Sequence, residues 1–77
     1  MSYGYSQQTI VANKKASSRL VGVALGRACI AHGVAVSQVA KRFGVSRQTV
    51  YNWFEAVHEP KAELIGDIQK YIAQLTK

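Results

Sequence analysis

Acidic side chains are missing from the first 54 residues of this 77-residue chain. That stretch holds seven cations, Lys14, Lys15, Arg19, Arg27, Lys41, Arg42 and Arg47. The remainder sets Lys61, Lys70 and Lys77 against Glu55, Glu59, Glu63 and Asp67. The formal charge of +6 therefore divides into +7 on the N-terminal two-thirds and −1 on the rest. Such a distribution points to a polyanionic partner for the N-terminal part. Cysteine is equally scarce. A single Cys29 excludes an internal disulfide and a multi-cysteine metal site. His32 and His58 have no ligand partner at metal-site spacing, so no metal is expected. No apolar run approaches the roughly 20 residues of a membrane span, and the polar N-terminus lacks the apolar core of a signal peptide. These absences predict a cytoplasmic chain with no membrane partner. No glycine-rich phosphate loop, paired carboxylates in a cleft or Ser/His/Asp set is evident, so no enzyme, cofactor or small-molecule ligand is expected. What is present is apolar: 48% of the residues, enough for one packed domain near the lower size limit for a self-sufficient core.

The most informative stretch runs from Val36 to Glu55. It reads as two short helices joined at Gly44, where glycine takes a left-handed conformation without a Cβ penalty. Ser46 is placed to cap a second helix that begins at Arg47 and extends to about Ala56. Val39 and Phe43 share one face of the first helix, and Val50 and Trp53 one face of the second. Val45 sits in the turn, and Ala40 is small enough for a close crossing. This is the pattern of a helix-turn-helix.

These positions resemble those of the helix-turn-helix family. The run Val45 to Trp53, followed by Pro60 and another apolar-periodic segment, is similar to the lambda-repressor/Cro-like class of small phage and bacterial regulators. The resemblance covers roughly residues 17 to 75. It implies an all-α, four- or five-helix lambda-repressor-like domain. It also implies sequence-specific binding of double-stranded DNA, as a Cro-like repressor that occupies an operator as a homodimer, nucleoid-associated in the cytoplasm. Two departures stand out. Family members often pair an Arg of the helix before the motif with a Glu after the recognition-helix Trp; Cys29 and Phe54 hold those places, consistent with an apolar contact in place of an ion pair. Val36 stands where many members have a phosphate-bracing Gln, leaving Ser37, Gln38 or the helix-start N–H groups for that role.

The segment from Arg47 to about Ala56 is the expected reader. With Val50 and Trp53 inward, Arg47, Gln48, Thr49, Tyr51 and Asn52 remain outward. Arg47, Gln48 and Asn52 are the candidates for base edges, since Arg suits guanine and Gln or Asn suits adenine. Ser46, Thr49 and Tyr51 are candidates for phosphate or secondary contacts. A solvated polar face is the alternative, weakened by the lack of any acid before Glu55.

Residues 1 to 16 show no helical or strand period and read as a flexible arm preceding a 17–77 domain, with Gln8 to Val11 a conceivable short strand. Lys14, Lys15 and Arg19 make a basic root, either for an arm that lies along phosphates or enters a minor groove or for a solvated tail, the simpler reading, while Tyr3 and Tyr5 are too few for a stacking platform. Ser17 or Ser18 is expected to cap a helix to about His32, with Leu20, Ala24, Ala28 and Ala31 on one face, Val21, Leu25 and Cys29 beside it, and Gly33 at its end. Gly22 and Gly26, one turn apart, suggest close packing. Cys29, in apolar surroundings, reads as an inert buried thiol. Pro60 is expected to open a last helix, whose Leu64, Ile68, Tyr71 or Ile72, and Leu75 form an apolar stripe. Ile65 and Ile72 lie off its centre, where they serve either a dimer interface or the monomer core. Two other functions share these features: a helix-turn-helix that grips a protein, such as an inhibitor of host RNA polymerase, and an architectural or recombination accessory factor that bends DNA.

Overall fold

The computed structural model describes residues 6 to 77; Tyr3, Tyr5 and the rest of 1–5 lie outside the described residues. Five helices follow one another: α1 (Gln7–Lys15), α2 (Val21–His32), α3 (Val36–Phe43), α4 (Arg47–Phe54) and α5 (Ala62–Leu75). The described residues contain no strand, so the all-α expectation holds there in its five-helix form.

The α3–α4 unit forms as its residues dictate. Gly44 adopts φ 67°, and Val45 N–H donates to the Ala40 carbonyl at 3.0 Å, closing α3. Ser46 Oγ then accepts from Thr49 N–H at 3.1 Å, opening α4. Val39, Ala40, Val50 and Trp53 are buried, with Phe43 and Val45 half-buried beside them. Phe43 meets Trp53 and Tyr71 edge-on, with ring centroids 6.2 Å and 5.5 Å apart, so one aromatic ladder joins α3, α4 and α5.

The α2 helix departs from expectation at its start and in its face. It begins at Val21, not after Ser17 or Ser18. Ser17 Oγ accepts instead from Arg19 N–H at 3.3 Å, a local turn that competes with helix continuation. Its buried side is Gly22, Val23, Leu25, Gly26, Ala28 and Cys29, whereas Ala31 is exposed. The glycines explain the rotation. A Cβ at Gly22 would stand 2.8 Å from the Trp53 carbonyl oxygen, and one at Gly26 2.8 Å from Phe54 Cγ. The two glycines thus let α4 lie against the α2 backbone, as their spacing suggests. Cys29 and Phe54 share the buried cluster, and burial pushes the Cys29 thiol up to about 12, the inert form expected.

The reading of residues 7–15 as an arm without regular structure is corrected: they form α1, which packs on α2 and α4. Ser6 Oγ accepts from Thr9 N–H at 3.1 Å and caps it. The short strand at Gln8 to Val11 is likewise replaced by helix. Apolar periodicity misses α1 because its buried side chains, Thr9 and Asn13, are polar.

Helix α5 starts at Ala62, two residues beyond Pro60. Ile68 is fully buried, and Leu64, Tyr71, Ile72 and Leu75 pack partly buried against the core. Ile72 thus joins the core, while Ile65 is half-exposed. Among the described residues, no helix is long and apolar enough to cross a membrane.

Candidate nucleic-acid interface

Helix α4 has two sides. Val50, Trp53 and Phe54 are buried, and Arg47 and Gln48 stand exposed in its first turn. Asn52 is half-buried one turn beyond Gln48, and Gln48 Nε2 donates to Asn52 Oδ1 at 3.0 Å. Thr49 Oγ1 lies 2.9 Å from Ser46 Oγ, so the two hydroxyls share a hydrogen bond at the helix start. Tyr51 is half-buried and packs against the core, so it stands at the edge of the outward face. Arg47 is thus the exposed guanidinium of the first turn, and Gln48 with Asn52 a joined amide pair behind it.

The helix ends earlier than expected, at Phe54 rather than about Ala56. Ala56 adopts φ 63°, Ala56 N–H donates to the Trp53 carbonyl at 3.3 Å, and Val57 N–H to the Asn52 carbonyl at 2.9 Å. This is a Schellman closure with alanine where glycine is usual. A helix also leaves its last carbonyls without intrahelical donors. Here Glu55 N–H takes the Tyr51 carbonyl at 3.0 Å, and Asn13 Nδ2 takes that of Phe54 at 2.7 Å.

Asn13 is the site residue that sequence reasoning missed. Its amide also donates to the Val23 carbonyl at 3.2 Å, so one buried side chain joins α1, α2 and the end of α4. Thr9 Oγ1 donates to Glu55 Oε2 at 3.0 Å, a second link from α1 to the same end. Arg27 Nη2 donates to the carbonyls of Lys14 and Ala16, at 3.1 and 2.9 Å, holding the last turn of α1. The available signals were Ser6 three residues before Thr9, and Asn13 one turn further on; neither registers in a hydropathy pattern.

The other candidates sit around this frame. Lys14 and Lys15 are exposed in the last turn of α1, and Arg19 is exposed in the turn that follows. Ser37 and Gln38 are exposed in the first turn of α3, whose N-cap, Ala35, makes no side-chain cap bond. Lys41 and Arg42 close α3, with the Arg42 guanidinium 5.1 Å from the Phe43 ring centroid. On the other flank, a cleft of about 440 Å³ runs from Thr49 and Asn52 to His58, Glu59 and Glu63. That flank carries Glu59 and Glu63 with Lys61, and the one cation of α4 itself, Arg47, stands in its first turn.

Residues 15–61 match the family model of the homeodomain-like domain, well over half of the chain. No curated protein and no solved structure matches it. The matched stretch takes in α2, α3 and α4 whole, and it stops before α5. In homeodomains three helices likewise form a helix-turn-helix variant whose third helix enters the major groove. With the homeodomain-like match spanning its three central helices, this chain belongs to the homeodomain-like family of helix-turn-helix DNA-binding domains.

Proposed function

We propose that the protein binds double-stranded DNA sequence-specifically, with α4 in the major groove, as a small transcriptional regulator in the manner of the Cro-like repressors. One observation carries this reading. Arg47–Phe54 buries its apolar side completely and presents Arg47, Gln48 and Asn52 on the other, with no acid in the helix. Arg47 and Gln48 reach base edges from the first turn, and Asn52 completes that face. Lys14, Lys15 and Arg19 supply sequence-independent phosphate contacts, as do Ser37 and Gln38 with the uncapped N–H groups of α3. Thr49, Tyr51 and Ser46 border the reading face and make secondary contacts. The regulator occupies its operator as a homodimer, with half-exposed Ile65 of α5 available to the second copy, and acts at the cytoplasmic nucleoid.

Selection of bound sites from random duplex DNA tests this. A palindrome whose half-sites lie about 10–10.5 bp apart is expected of such a dimer. Recovery of unenriched sequence would overturn specific DNA binding, and a single unrepeated half-site would overturn the dimer.

A further inference from the structure

The hydrogen bond from Gln48 to Asn52 restricts what Gln48 can offer to a base. A primary amide carries two N–H donors and one carbonyl acceptor. One N–H of Gln48 Nε2 is engaged by Asn52 Oδ1 at 3.0 Å, which leaves one N–H and Oε1 for the groove. In the major groove adenine shows an acceptor at N7 beside a donor at N6, and one N–H with one carbonyl satisfies both. Guanine shows two acceptors there, so the same pair of atoms would set carbonyl against carbonyl. Thymine offers an acceptor and a methyl group, and cytosine a single donor; each leaves half of the amide unmet.

The two partners are not equally fixed. Gln48 is exposed and has one more side-chain torsion than Asn52. Asn52 is half-buried, and its backbone carbonyl accepts from Val57 N–H at 2.9 Å and His58 N–H at 3.3 Å. It therefore stands on the backbone closure that ends α4. Asn is also the shorter side chain, set further along the helix from the first turn that meets the bases. The arrangement is that of a half-buried amide aiming an exposed one.

We propose that Asn52 is a positioning residue: it holds the Gln48 amide in the orientation that selects adenine, and it reads no base of its own. This rests on the DNA-reading role proposed for α4. Without the Asn52 acceptor, Gln48 turns its amide freely and its donor count is restored, so adenine loses its advantage.

The test is selection from random duplex DNA with the full chain, comparing the parent with Asn52→Asp, Asn52→Leu, Gln48→Ala and the Gln48→Ala/Asn52→Leu double variant. The parent should favour adenine over guanine at one base pair per half-site by about tenfold or more, the range of a bidentate contact. Asn52→Asp keeps an acceptor for Gln48. It should retain that preference while weakening all duplexes alike through its added negative charge. Asn52→Leu should cut the preference to about threefold or less, and Gln48→Ala should abolish it, since no bidentate contact remains. Adding Asn52→Leu to Gln48→Ala should change the recovered motif no further. Asn52→Ala repeats the comparison if the leucine variant does not fold. Full adenine preference in Asn52→Leu or Asn52→Ala would overturn the proposal, as would loss of specificity at a second base pair in the double variant. A parent that enriches no motif at all overturns the DNA-reading role instead, which separates the two failures.

Discussion

Replacing Asn13 by Ala removes a buried side chain that binds α1, α2 and the end of α4 together. Its amide makes two hydrogen bonds, to the Phe54 carbonyl at 2.7 Å and the Val23 carbonyl at 3.2 Å, and the side chain is almost wholly buried. Each such bond contributes about 0.5–1.5 kcal/mol net, and a carbonyl left buried without a donor costs about 1–3 kcal/mol. The Val23 carbonyl lies inside α2, whereas that of Phe54 lies in the last turn of α4, where intrahelical donors run out. The loss of the Asn13 amide therefore bears directly on the end of the recognition helix. A loss of about 2–4 kcal/mol follows, a large part of the stability of a domain this size. For 60–100 residues, each kcal/mol shifts Tm by about 4–8 °C, so a fall of at least about 8 °C is expected. Circular dichroism melts and urea titrations of parent and variant measure it. In Asn13→Asp a carboxylate would face the same two carbonyl oxygens, and burial with repulsion favours its protonated form. That variant should therefore gain stability relative to the parent as pH falls, because a raised folded-state pKa stabilises on the acid side. An Asn13→Ala chain melting within about 2 °C of the parent would refute the reasoning, since the amide would then be replaceable by water.

Trp53→Ala should cost about 3–5 kcal/mol, because the indole is buried and edge-on to Phe43; a melt like the parent's would show that the core does not depend on it. Ala56→Gly should stabilise by about 1 kcal/mol, since Ala56 holds φ 63°, and a lower Tm would count against strain there. Arg47→Ala should weaken binding to the selected site by about 1–3 kcal/mol and relax one base pair per half-site, while Arg47→Lys keeps the non-specific binding. An unchanged cognate-to-scrambled ratio in Arg47→Ala would sink base reading by Arg47. With its pKa at about 12, Cys29 should stay unlabelled by a thiol reagent at pH 8 and react once the chain is unfolded in urea; labelling of the folded chain at a free thiol's rate would show it accessible. The raised thiol pKa means that any stabilisation linked to its neutral form is full at neutral pH and lost only as pH climbs toward 12.

The helix-turn-helix was legible because each of its parts uses a residue type with one dominant conformational meaning. Gly44 ends a helix, Ser46 begins one, and Val39, Phe43, Val50 and Trp53 mark the inward sides. The outward face of α4 followed by subtraction. Three features were not fully legible, each for a different reason. Helix α1 docks through buried Thr9 and Asn13, with Ile10 half-buried beside them, so its inward side carries little apolar signal. The face of α2 was only partly legible, because Gly22 and Gly26, which have no side chains to weigh, lie against α4. The end of α4 was overrun because Ala56 does what glycine usually does. The Gln48–Asn52 pair was half legible: the spacing of four placed them on one face, but only the structure joins their amides.

The polar docking of α1 has a dynamic consequence. Ile10 is a half-buried apolar contact of α1 with the core, and the Thr9, Asn13 and Arg27 bonds add a polar attachment. Detaching α1 therefore uncovers little apolar surface, and such an opening depends only weakly on denaturant. The amides of α1 should exchange with solvent deuterium at a rate nearly flat in urea, while those of α2 and α4 rise steeply towards the global transition. Each such excursion also withdraws the Asn13 amide from the Phe54 carbonyl, so the C-terminal turn of the recognition helix loosens in step with α1.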